Sequence, residues 1–392
     1  MNEKMIAPGV RYIGADDKEL DLFEGQYAIP EGISYNSYLI IDEKVAIVDT
    51  IDARKTNEWL DNLQAGLNGR KPDYLVVHHM EPDHSGNVKR MIDTYPELVV
   101  VCSPQASKMM VRFFGLQLPA DRLLVVKEGD TLPLGEHTLQ FIGAPMVHWP
   151  EVLMSYEQKE GILFSADGFG KFGALSYDDM EGWACEARRY YFNIVGKYGA
   201  QVQQVLKKAA ALDIRMICPL HGPVLDQDLD YYIGLYDTWS SYRPEDQGVF
   251  IAYCSMHGNT EEAALKLASI IKSESRVKVS TSDLRRDDMA EAVEDAFRYD
   301  RMVLAAPTYE ADVMPVMREF MEHLRSKNYQ RRKVALIENS TWAPMAGKKM
   351  REFMEQLKEV EIVEPVVSIE TTVKPATIEA LKVLAEALTA EE

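Results

Sequence analysis

The fold and the chemistry of this chain are decided by the stretch Val76-Val77-His78-His79-Met80-Glu81-Pro82-Asp83-His84-Ser85-Gly86-Asn87. An apolar, strand-like run ends here in a dense group of imidazoles and carboxylates, four of which form the pattern H-x-E-x-D-H. Alternate residues of an extended or turning backbone point the same way. We therefore expect His79, Glu81 and Asp83 to converge, whereas the adjacent Asp83 and His84 diverge. This divergence suits two metal ions, one bound by His79 and Glu81 and the other by Asp83 and His84.

Further metal ligands must come from other loops, because two histidines and two carboxylates cannot complete two coordination spheres. Three candidates each follow an apolar strand-like run: His148 after 139–142, Asp167 after 162–164 and His221 after 216–218. Functional side chains often occupy such loops on a rigid scaffold. A single histidine there is more often structural, but the cluster at 79–84 is costly to bury unless a cation compensates it.

Two other histidines are not expected to bind metal. His78 points to the opposite side of its strand from His79, so we expect it to support the ligands or to belong to the core. His137 lies between Glu136 and Thr138 beside a predicted hairpin, so we expect it at the surface.

The first part of the chain alternates strand-like and helix-like segments. A hairpin is predicted for 38–41 and 45–48, and the apolar spacing of 56–67 predicts a helix. A second, longer helix is predicted for 183–211, interrupted near Gly196 and Gly199. Further strands are predicted at 74–77, 98–101, 123–126, 139–142, 152–154, 162–164 and 216–218.

The polar run 240–248, which contains Pro and Gly, is the best linker candidate. It divides the chain into a domain at 1–246 and a domain at 247–392. Beyond it, strands and helices alternate regularly, which predicts a doubly wound parallel sheet. The strands are 249–253, 277–280, 302–306, 333–337 and 366–369, and the helices are 260–271, 288–297, 314–324, 345–360 and 376–388.

A phosphate-binding loop is predicted after the first of these strands, in Cys254-Ser255-Met256-His257-Gly258-Asn259-Thr260. Hydroxyls and backbone N–H groups that end on a helix N-terminus suit a phosphate dianion. The string is similar to the flavodoxin phosphate loop and lacks the motifs of dinucleotide and ATP binders, which favours FMN. Without support from other loops, the same string could also be a simple turn between a strand and a helix.

Two further loops support the FMN prediction, since both lie at carboxyl ends of strands, where such a sheet binds its flavin ring. Each supplies an aromatic side chain, Tyr309 or Trp342, that is able to cover a flat ring. If the position of Ser340 needs a positive φ, which favours glycine, the ring-side loop is shifted here. The strings are Ala306-Pro307-Thr308-Tyr309-Glu310-Ala311 and Glu338-Asn339-Ser340-Thr341-Trp342-Ala343.

The first domain resembles the metallo-β-lactamase fold, an αββα sandwich, and Asp49 matches the early structural aspartate of that fold. Glu81 replaces the usual second histidine, and this hard oxygen ligand favours iron over zinc. Glu81 together with a C-terminal flavodoxin-like domain is the pattern of the flavodiiron proteins. The resemblance runs over essentially the whole chain and includes the strings Ser34-Tyr35-Asn36-Ser37-Tyr38 and Arg188-Arg189-Tyr190-Tyr191.

This resemblance implies a diiron centre and FMN. One iron is held by His79, Glu81, His148 and Asp167, and Asp167 bridges to a second iron, which is held by Asp83, His84 and His221. The implied reaction is reduction of O2 to water, of NO to N2O, or of both, and no catalytic residue beyond the iron ligands is expected. FMN relays the electrons.

The implied partners are a second copy of the chain and a small redox protein. Two consecutive domains are not expected to bring FMN and iron together within one chain, so the family's head-to-tail homodimer, or a dimer of dimers, is expected. Because no C-x-x-C pair follows the flavodoxin-like part, we expect no rubredoxin module and a separate donor such as rubredoxin.

Composition excludes several other classes of protein. The chain has 392 residues and carries 43 Lys and Arg against 62 Asp and Glu, a formal charge of −19, which disfavours nucleic acid and anionic membranes as partners. Its four cysteines are scattered, and neither a signal peptide nor a membrane-spanning run is recognisable. A cytoplasmic protein is therefore expected.

Two alternatives compete with a flavodiiron oxidoreductase. One is a zinc hydrolase of the metallo-β-lactamase fold in which the flavodoxin-like domain only docks a partner; Glu81 and the three flavin-type loops argue against it. The other is a plain electron carrier with a degenerate metal domain, which is disfavoured because no candidate ligand is missing.

Overall fold

The computed structural model describes residues 4–177 and 182–390. The chain divides into two compact units. The first comprises Met1–Tyr191 and Tyr198–Asp237, and the second comprises Phe192–Lys197 and Thr238–Glu392. The domain boundary expected between residues 246 and 247 stays a prediction.

Two sheets stacked face to face form the first unit. Apolar side chains of both sheets, among them Val48, Val76, Phe141 and Phe164, share one buried core. The predicted sandwich is therefore confirmed. The first sheet runs in the order Lys4–Ala7, Val10–Tyr12, Tyr38–Ile41, Val45–Val48, Tyr74–Val77, Val99–Cys102 and Leu123–Val125, and the second runs in the order Thr131–Pro133, Thr138–Gly143, Leu153–Glu157, Ile162–Phe164 and Met216–Cys218.

Helices and two small antiparallel sheets of two strands each complete this part of the chain. One sheet pairs Ala15–Asp17 with Ile33–Tyr35, and the other pairs Leu22–Phe23 with Tyr27–Ala28. The predicted interruption of the long helix is confirmed, since a π-turn at Tyr191–Val195 and a 3-10 turn at Gly196–Tyr198 separate two α-helices. The helices are Thr56–Leu67, Pro82–Ser85, Val88–Thr94, Pro104–Phe114, Trp183–Tyr190, Gly199–Ala209 and Leu229–Ser240, with 3-10 turns at Ala53–Lys55, Ala120–Arg122 and Leu175–Tyr177.

The second unit is a parallel sheet wound by helices on both sides, as predicted. Its spatial order, in which the first strand lies between the second and third, is that of flavodoxin-like sheets. A short strand, Asp312–Val313, pairs antiparallel with the end of the third strand. The strands in spatial order are Lys278–Asp283, Asp246–Tyr253, Tyr299–Tyr309, Arg332–Ser340 and Val360–Glu370, and the helices are Asn259–Glu274, Met289–Arg298, Pro315–Ser326, Ala346–Met354 and Pro375–Thr389.

The linker is shorter than the polar run predicted, because the last three residues of that run join the first strand of the parallel sheet. Asp246 forms ion pairs with Lys278 and Arg298 at 2.6 and 2.7 Å. The backbone N–H of Gly248 donates to the Asp300 carboxylate at 2.7 Å. These partners offset the low strand propensity of Asp and Gly, and only 241–245 connects helix to strand.

The predicted surface position of His137 is wrong, since its side chain is buried. The ring lies against Gly9, where a Cβ atom would come within 2.7 Å of it. Its Nδ1 atom is 3.1 Å from the buried carboxylate of Glu157. The backbone at Gly9 and the carboxylate of Glu157 thus hold His137 in the interior, although its polar neighbours in the sequence had predicted a surface position.

Among the helices within residues 4–177 and 182–390, none has the length and apolar composition that crossing a bilayer requires.

Candidate functional site

The loops that follow four strands of the first unit bring the seven predicted metal ligands together. Their donor atoms form two groups, and within each group all donor atoms lie within 4.8 Å of one another. The division of the loop into His79 with Glu81 and Asp83 with His84 is as predicted. The expected divergence of adjacent Asp83 and His84 is wrong, since the helical turn Pro82–Ser85 brings their donor atoms to 3.4 Å from each other and separates Asp83 from His79 and Glu81. The first group is His79, Glu81, His148 and Asp167, and the second is Asp83, His84 and His221.

Asp167 lies between the two groups and turns one oxygen toward each. Its Oδ2 is 3.2 Å from His79 Nε2 and 3.3 Å from His148 Nε2. Its Oδ1 is 3.1 Å from His84 Nε2 and 3.8 Å from His221 Nε2. Neighbouring ligands about 2.1 Å from a common metal ion are themselves about 3 Å apart. The spacing therefore fits a carboxylate that bridges two metal ions.

Each half of the centre also has a carboxylate of its own. Glu81 Oε2 is 2.9 Å from His148 Nε2 and 3.2 Å from His79 Nε2. In the other half, Asp83 Oδ2 is 3.2 Å from His221 Nε2. Both halves thus offer two imidazoles, one private carboxylate and one oxygen of the bridging carboxylate. We call them the Glu81 half and the Asp83 half.

Burial and mutual charge shift the pKa values of Asp167, Glu81 and His148. Burial alone would raise the pKa of the Asp167 carboxyl, but the imidazoles of His84 and His79 hold it well below its usual range. Burial would likewise raise the pKa of Glu81, yet hydrogen bonds to His148 and His79 lower it to about 2. Burial would lower the pKa of His148, and its contacts with Asp167 and Glu81 raise it to about 9. Neighbouring positive charge thus keeps these carboxylates ionised, and metal dications would supply that charge in place of the histidine protons.

The strand that carries the metal loop is fixed by Asp49. Its carboxylate accepts hydrogen bonds from the backbone N–H of His78 and from the His78 ring, both at 2.7 Å. The other ring nitrogen of His78 lies 2.9 Å from Ser155 Oγ. The next residue, Thr50, donates its hydroxyl to the carbonyl of His84 at 2.7 Å. His78 therefore supports the metal loop from the core, as expected, and lies outside the two donor groups.

The string Ser34-Tyr35-Asn36-Ser37-Tyr38 holds the loop that carries His221. The Asn36 amide donates to the carbonyls of Pro219 and Gly222, at 2.8 and 2.7 Å. The Tyr38 hydroxyl also donates to the Pro219 carbonyl, at 2.7 Å. His221 Nδ1 lies 2.7 Å from the carbonyl of Ser34, which turns its Nε2 toward the Asp83 carboxylate.

Glu151 is a functional residue that the sequence analysis missed. Its Oε1 accepts hydrogen bonds from the Nδ1 of His79 at 2.8 Å and from the backbone N–H of Met80 at 2.9 Å. The available signal was an acidic residue three positions after the ligand His148. The spacing of residues in a sequence can indicate a metal ligand, but it seldom indicates which residue forms a hydrogen bond with that ligand.

The predicted flavin residues surround a cavity of about 390 Å³ at the carboxyl ends of the parallel strands. Twelve of the fourteen predicted residues line it, and the exceptions are Gly258 and Tyr309. Asn339, Ala343, Met345 and Thr371 also line the cavity and were not predicted. The predicted lining residues are Ser255, Met256, His257, Asn259, Thr260, Pro307, Thr308, Glu310, Ala311, Ser340, Thr341 and Trp342.

The phosphate end of this cavity is formed at the start of the helix Asn259–Glu274. Gly258 precedes the helix with φ of 92°, a left-handed conformation that favours glycine. Its N–H donates to Ser255 Oγ at 3.0 Å. Thr260 is buried in the first turn and lines the cavity. Free N–H groups and hydroxyls at a helix N-terminus suit an anionic phosphate.

At the ring end of the cavity, the backbone of Ser340 does not adopt a positive φ. This residue ends the strand Arg332–Ser340, so its backbone is extended and needs no glycine. The left-handed turn of this loop falls at Ala343, with φ of 46°. Trp342 is 79% exposed, which leaves its indole free to cover a flat ring.

Two known families match successive parts of the chain. Residues 33–222 match the family described as ODP family beta lactamase, and residues 250–366 match a flavodoxin domain. The chain joins a metallo-β-lactamase-like domain to a flavodoxin domain.

Known proteins share this combination over most of their length. The anaerobic nitric oxide reductase flavorubredoxin of Vibrio vulnificus is 29% identical over 86% of this chain and 70% of its own. The rubredoxin oxygen:oxidoreductase of Desulfovibrio gigas is 25% identical with a TM-score of 0.91, covering 98% of this chain and 97% of its own. The flavodiiron protein of Giardia intestinalis shares the fold, with 24% identity, a TM-score of 0.90 and coverage of 99% and 97%. These matches confirm the predicted resemblance to the flavodiiron proteins.

Proposed function

We propose that this chain is a flavodiiron oxidoreductase that reduces O2 to water, NO to N2O, or both, at a non-heme diiron site. The observation that carries this proposal is the single carboxylate of Asp167 placed between two equivalent sets of donor atoms. The names of the relatives, a nitric oxide reductase and an oxygen oxidoreductase, support the class of reaction.

Iron is the metal that the donor set favours. Glu81 stands where metallo-β-lactamase-like zinc sites use a second histidine, and carboxylates are harder ligands than imidazoles. With Asp83 and Asp167, three carboxylates would hold the irons and would stabilise their oxidised form. When bound, the irons would supply electrons and open positions for a diatomic substrate, and FMN would pass electrons to them. The alternative, a zinc hydrolase, requires neither a carboxylate at position 81 nor a flavin cavity.

The proposal includes an external electron donor and a second copy of the chain. FMN bound at Ser255–Thr260 would take electrons from a small redox protein such as rubredoxin. The chain would act as a head-to-tail homodimer, or a dimer of such dimers, in the cytoplasm. In this arrangement the flavin of one subunit serves the irons of its partner.

The protein purified without added metal is expected to contain two irons and one FMN per chain. Metal analysis and the flavin absorbance spectrum measure this directly. Anaerobic stopped-flow oxidation of the fully reduced protein by O2 and by NO then measures which substrate it prefers. Stoichiometric zinc without flavin, or a reduced protein that neither gas oxidises, would contradict the proposal.

Thr260→Val is expected to weaken FMN binding roughly tenfold, because it removes a buried hydroxyl from the phosphate end of the cavity without changing the side-chain shape. Titration of the flavin-free protein with FMN, followed by quenching of flavin fluorescence, gives the affinity. Thr281→Val is the matched control, since Thr281 is exposed on the strand Lys278–Asp283 and does not line the cavity. Equal affinities of the two variants would place the phosphate elsewhere.

A further inference from the structure

The two halves of the metal centre have matched ligands but differ in what lies behind those ligands. Each half has two histidines and one carboxylate besides the shared Asp167. Ligand composition alone therefore gives two metal ions in these halves the same affinity and the same redox preference. Any difference must come from groups that contact the ligands without binding metal.

In the Glu81 half, a full negative charge stands behind one imidazole. His79 presents Nε2 to Glu81 and Asp167, so its Nδ1 carries the proton and donates it to Glu151 at 2.8 Å. The Glu151 side chain is completely buried, and its ion pair within the described residues is the one with His79. Its second oxygen, Oε2, is buried without a hydrogen-bond partner among those residues. A buried carboxylate paired in this way relies on the metal behind His79 for compensating charge.

In the Asp83 half, the groups behind the imidazoles are neutral or missing. The Nδ1 atom of His221 lies 2.7 Å from the neutral carbonyl of Ser34. The Nδ1 atom of His84 is buried and has no hydrogen-bond partner within the described residues. Neither imidazole thus receives the electron density that a hydrogen-bonded carboxylate provides.

We infer that Glu151 makes the two irons inequivalent: it positions His79 and, through it, favours the higher oxidation state in the Glu81 half. A carboxylate that accepts the Nδ1 proton increases the basicity of Nε2, which stabilises ferric over ferrous iron. On reduction, the Asp83 half therefore accepts the first electron and the Glu81 half the second. Glu151 is a positioning residue, and this inference rests on the diiron centre of the proposed function.

Glu151→Gln tests the inference, because it removes the charge while keeping an oxygen that can accept both N–H groups. The reductive titration of the iron-loaded holoprotein, monitored by electron paramagnetic resonance, should give two midpoint potentials. We expect the lower potential to rise in Glu151→Gln as the ferric preference falls roughly tenfold, which corresponds to about 59 mV for one electron. The higher potential should move less, so the gap between the two narrows.

Glu157→Gln is the matched control. Glu157 is another completely buried carboxylate of the same unit, but it accepts hydrogen bonds from the backbone N–H groups of Lys159 and Glu160 and contacts no metal ligand. It should leave both potentials at their wild-type values. If the wild-type protein holds two irons and the gap between the two midpoint potentials is unchanged or wider in Glu151→Gln, the inference is overturned and the proposed function stays intact. A wild-type protein without iron would remove the proposed function itself.

A second measurement keeps Glu151 in place in case Glu151→Gln does not fold. One equivalent of Co(II) added to the metal-free protein should occupy the Glu81 half first, because its imidazole is already held by a carboxylate. Asp83→Ala should then keep the affinity and the visible spectrum of the first equivalent, whereas Glu81→Ala should weaken its binding, because Co(II) is left with the Asp83 half. The opposite pattern, or equal loss in both variants, would show that the Glu81 half is not favoured.

Discussion

Asp167→Ala is expected to lose both irons and to reduce turnover by about 100-fold or more, while FMN remains bound. The two oxygens of Asp167 face different halves of the centre, at 3.2 Å from His79 and 3.1 Å from His84. Its removal therefore takes a ligand from both metal ions at once. The flavin cavity lies in the other unit and shares no residue with the metal centre.

Asp83→Ala is the control for this result, because Asp83 belongs to one half alone. We expect that variant to retain about one iron per chain, in the Glu81 half, and to lose turnover as well. Iron content, flavin absorbance and circular dichroism distinguish loss of ligands from loss of fold. An Asp167→Ala protein that keeps two irons and normal turnover would remove Asp167 from the site.

The sequence predicted the cluster of donor atoms because side chains that bind metal follow local rules. Zinc and iron are bound mostly by imidazole, thiolate and carboxylate groups, and functional side chains often lie in the loops that follow strands. His148, Asp167 and His221 satisfy both conditions, and the structure brings them to the H-x-E-x-D-H loop. The pairing of His79 with Glu81 and of Asp83 with His84 was also predicted from the sequence. The alternation of side chains along an extended backbone was the wrong reason for it, because the helical turn Pro82–Ser85 brings Asp83 and His84 into one group.

The supporting contacts could not be read in the same way, because they join residues far apart in the chain. Glu151 lies 72 positions from His79, and Asn36 lies 183 positions from Pro219. No spacing rule links such pairs before the fold is known. His137 was misplaced for the same reason, since its burial depends on Gly9, in the turn between the first two strands, and on Glu157, at the end of the strand Leu153–Glu157.

Strand boundaries in the parallel sheet show a further limit of prediction. Residues 246–248 read as linker because Asp, Gln and Gly are poor strand formers. In the structure they extend the strand Asp246–Tyr253, since ion pairs with Lys278 and Arg298 anchor its first residue. Local propensity predicted the alternation of strands and helices, but the first residue of the strand Asp246–Tyr253 is determined by ion pairs with Lys278 and Arg298.

Electron transfer between chains is expected to restore activity when two inactive variants form a mixed dimer. The first variant is Asp167→Ala, which keeps FMN and lacks iron. The second carries Ser255→Ala and Thr260→Val, which should empty the flavin cavity and leave the metal centre intact. In a head-to-tail dimer the flavin of the first variant faces the irons of the second, so one of two equivalent pairs works.

Heterodimers isolated through a different affinity tag on each variant should therefore show about half of the wild-type turnover per dimer. Homodimers of each variant, purified in the same way through two tags, are the control. They should be inactive, because both subunits lack iron in one variant and both lack FMN in the other. If electrons instead passed from flavin to iron within one chain, neither subunit of the heterodimer would hold a complete path. Inactive heterodimers with one FMN and two irons per dimer would then exclude transfer between chains, and the route would have to lie within each subunit.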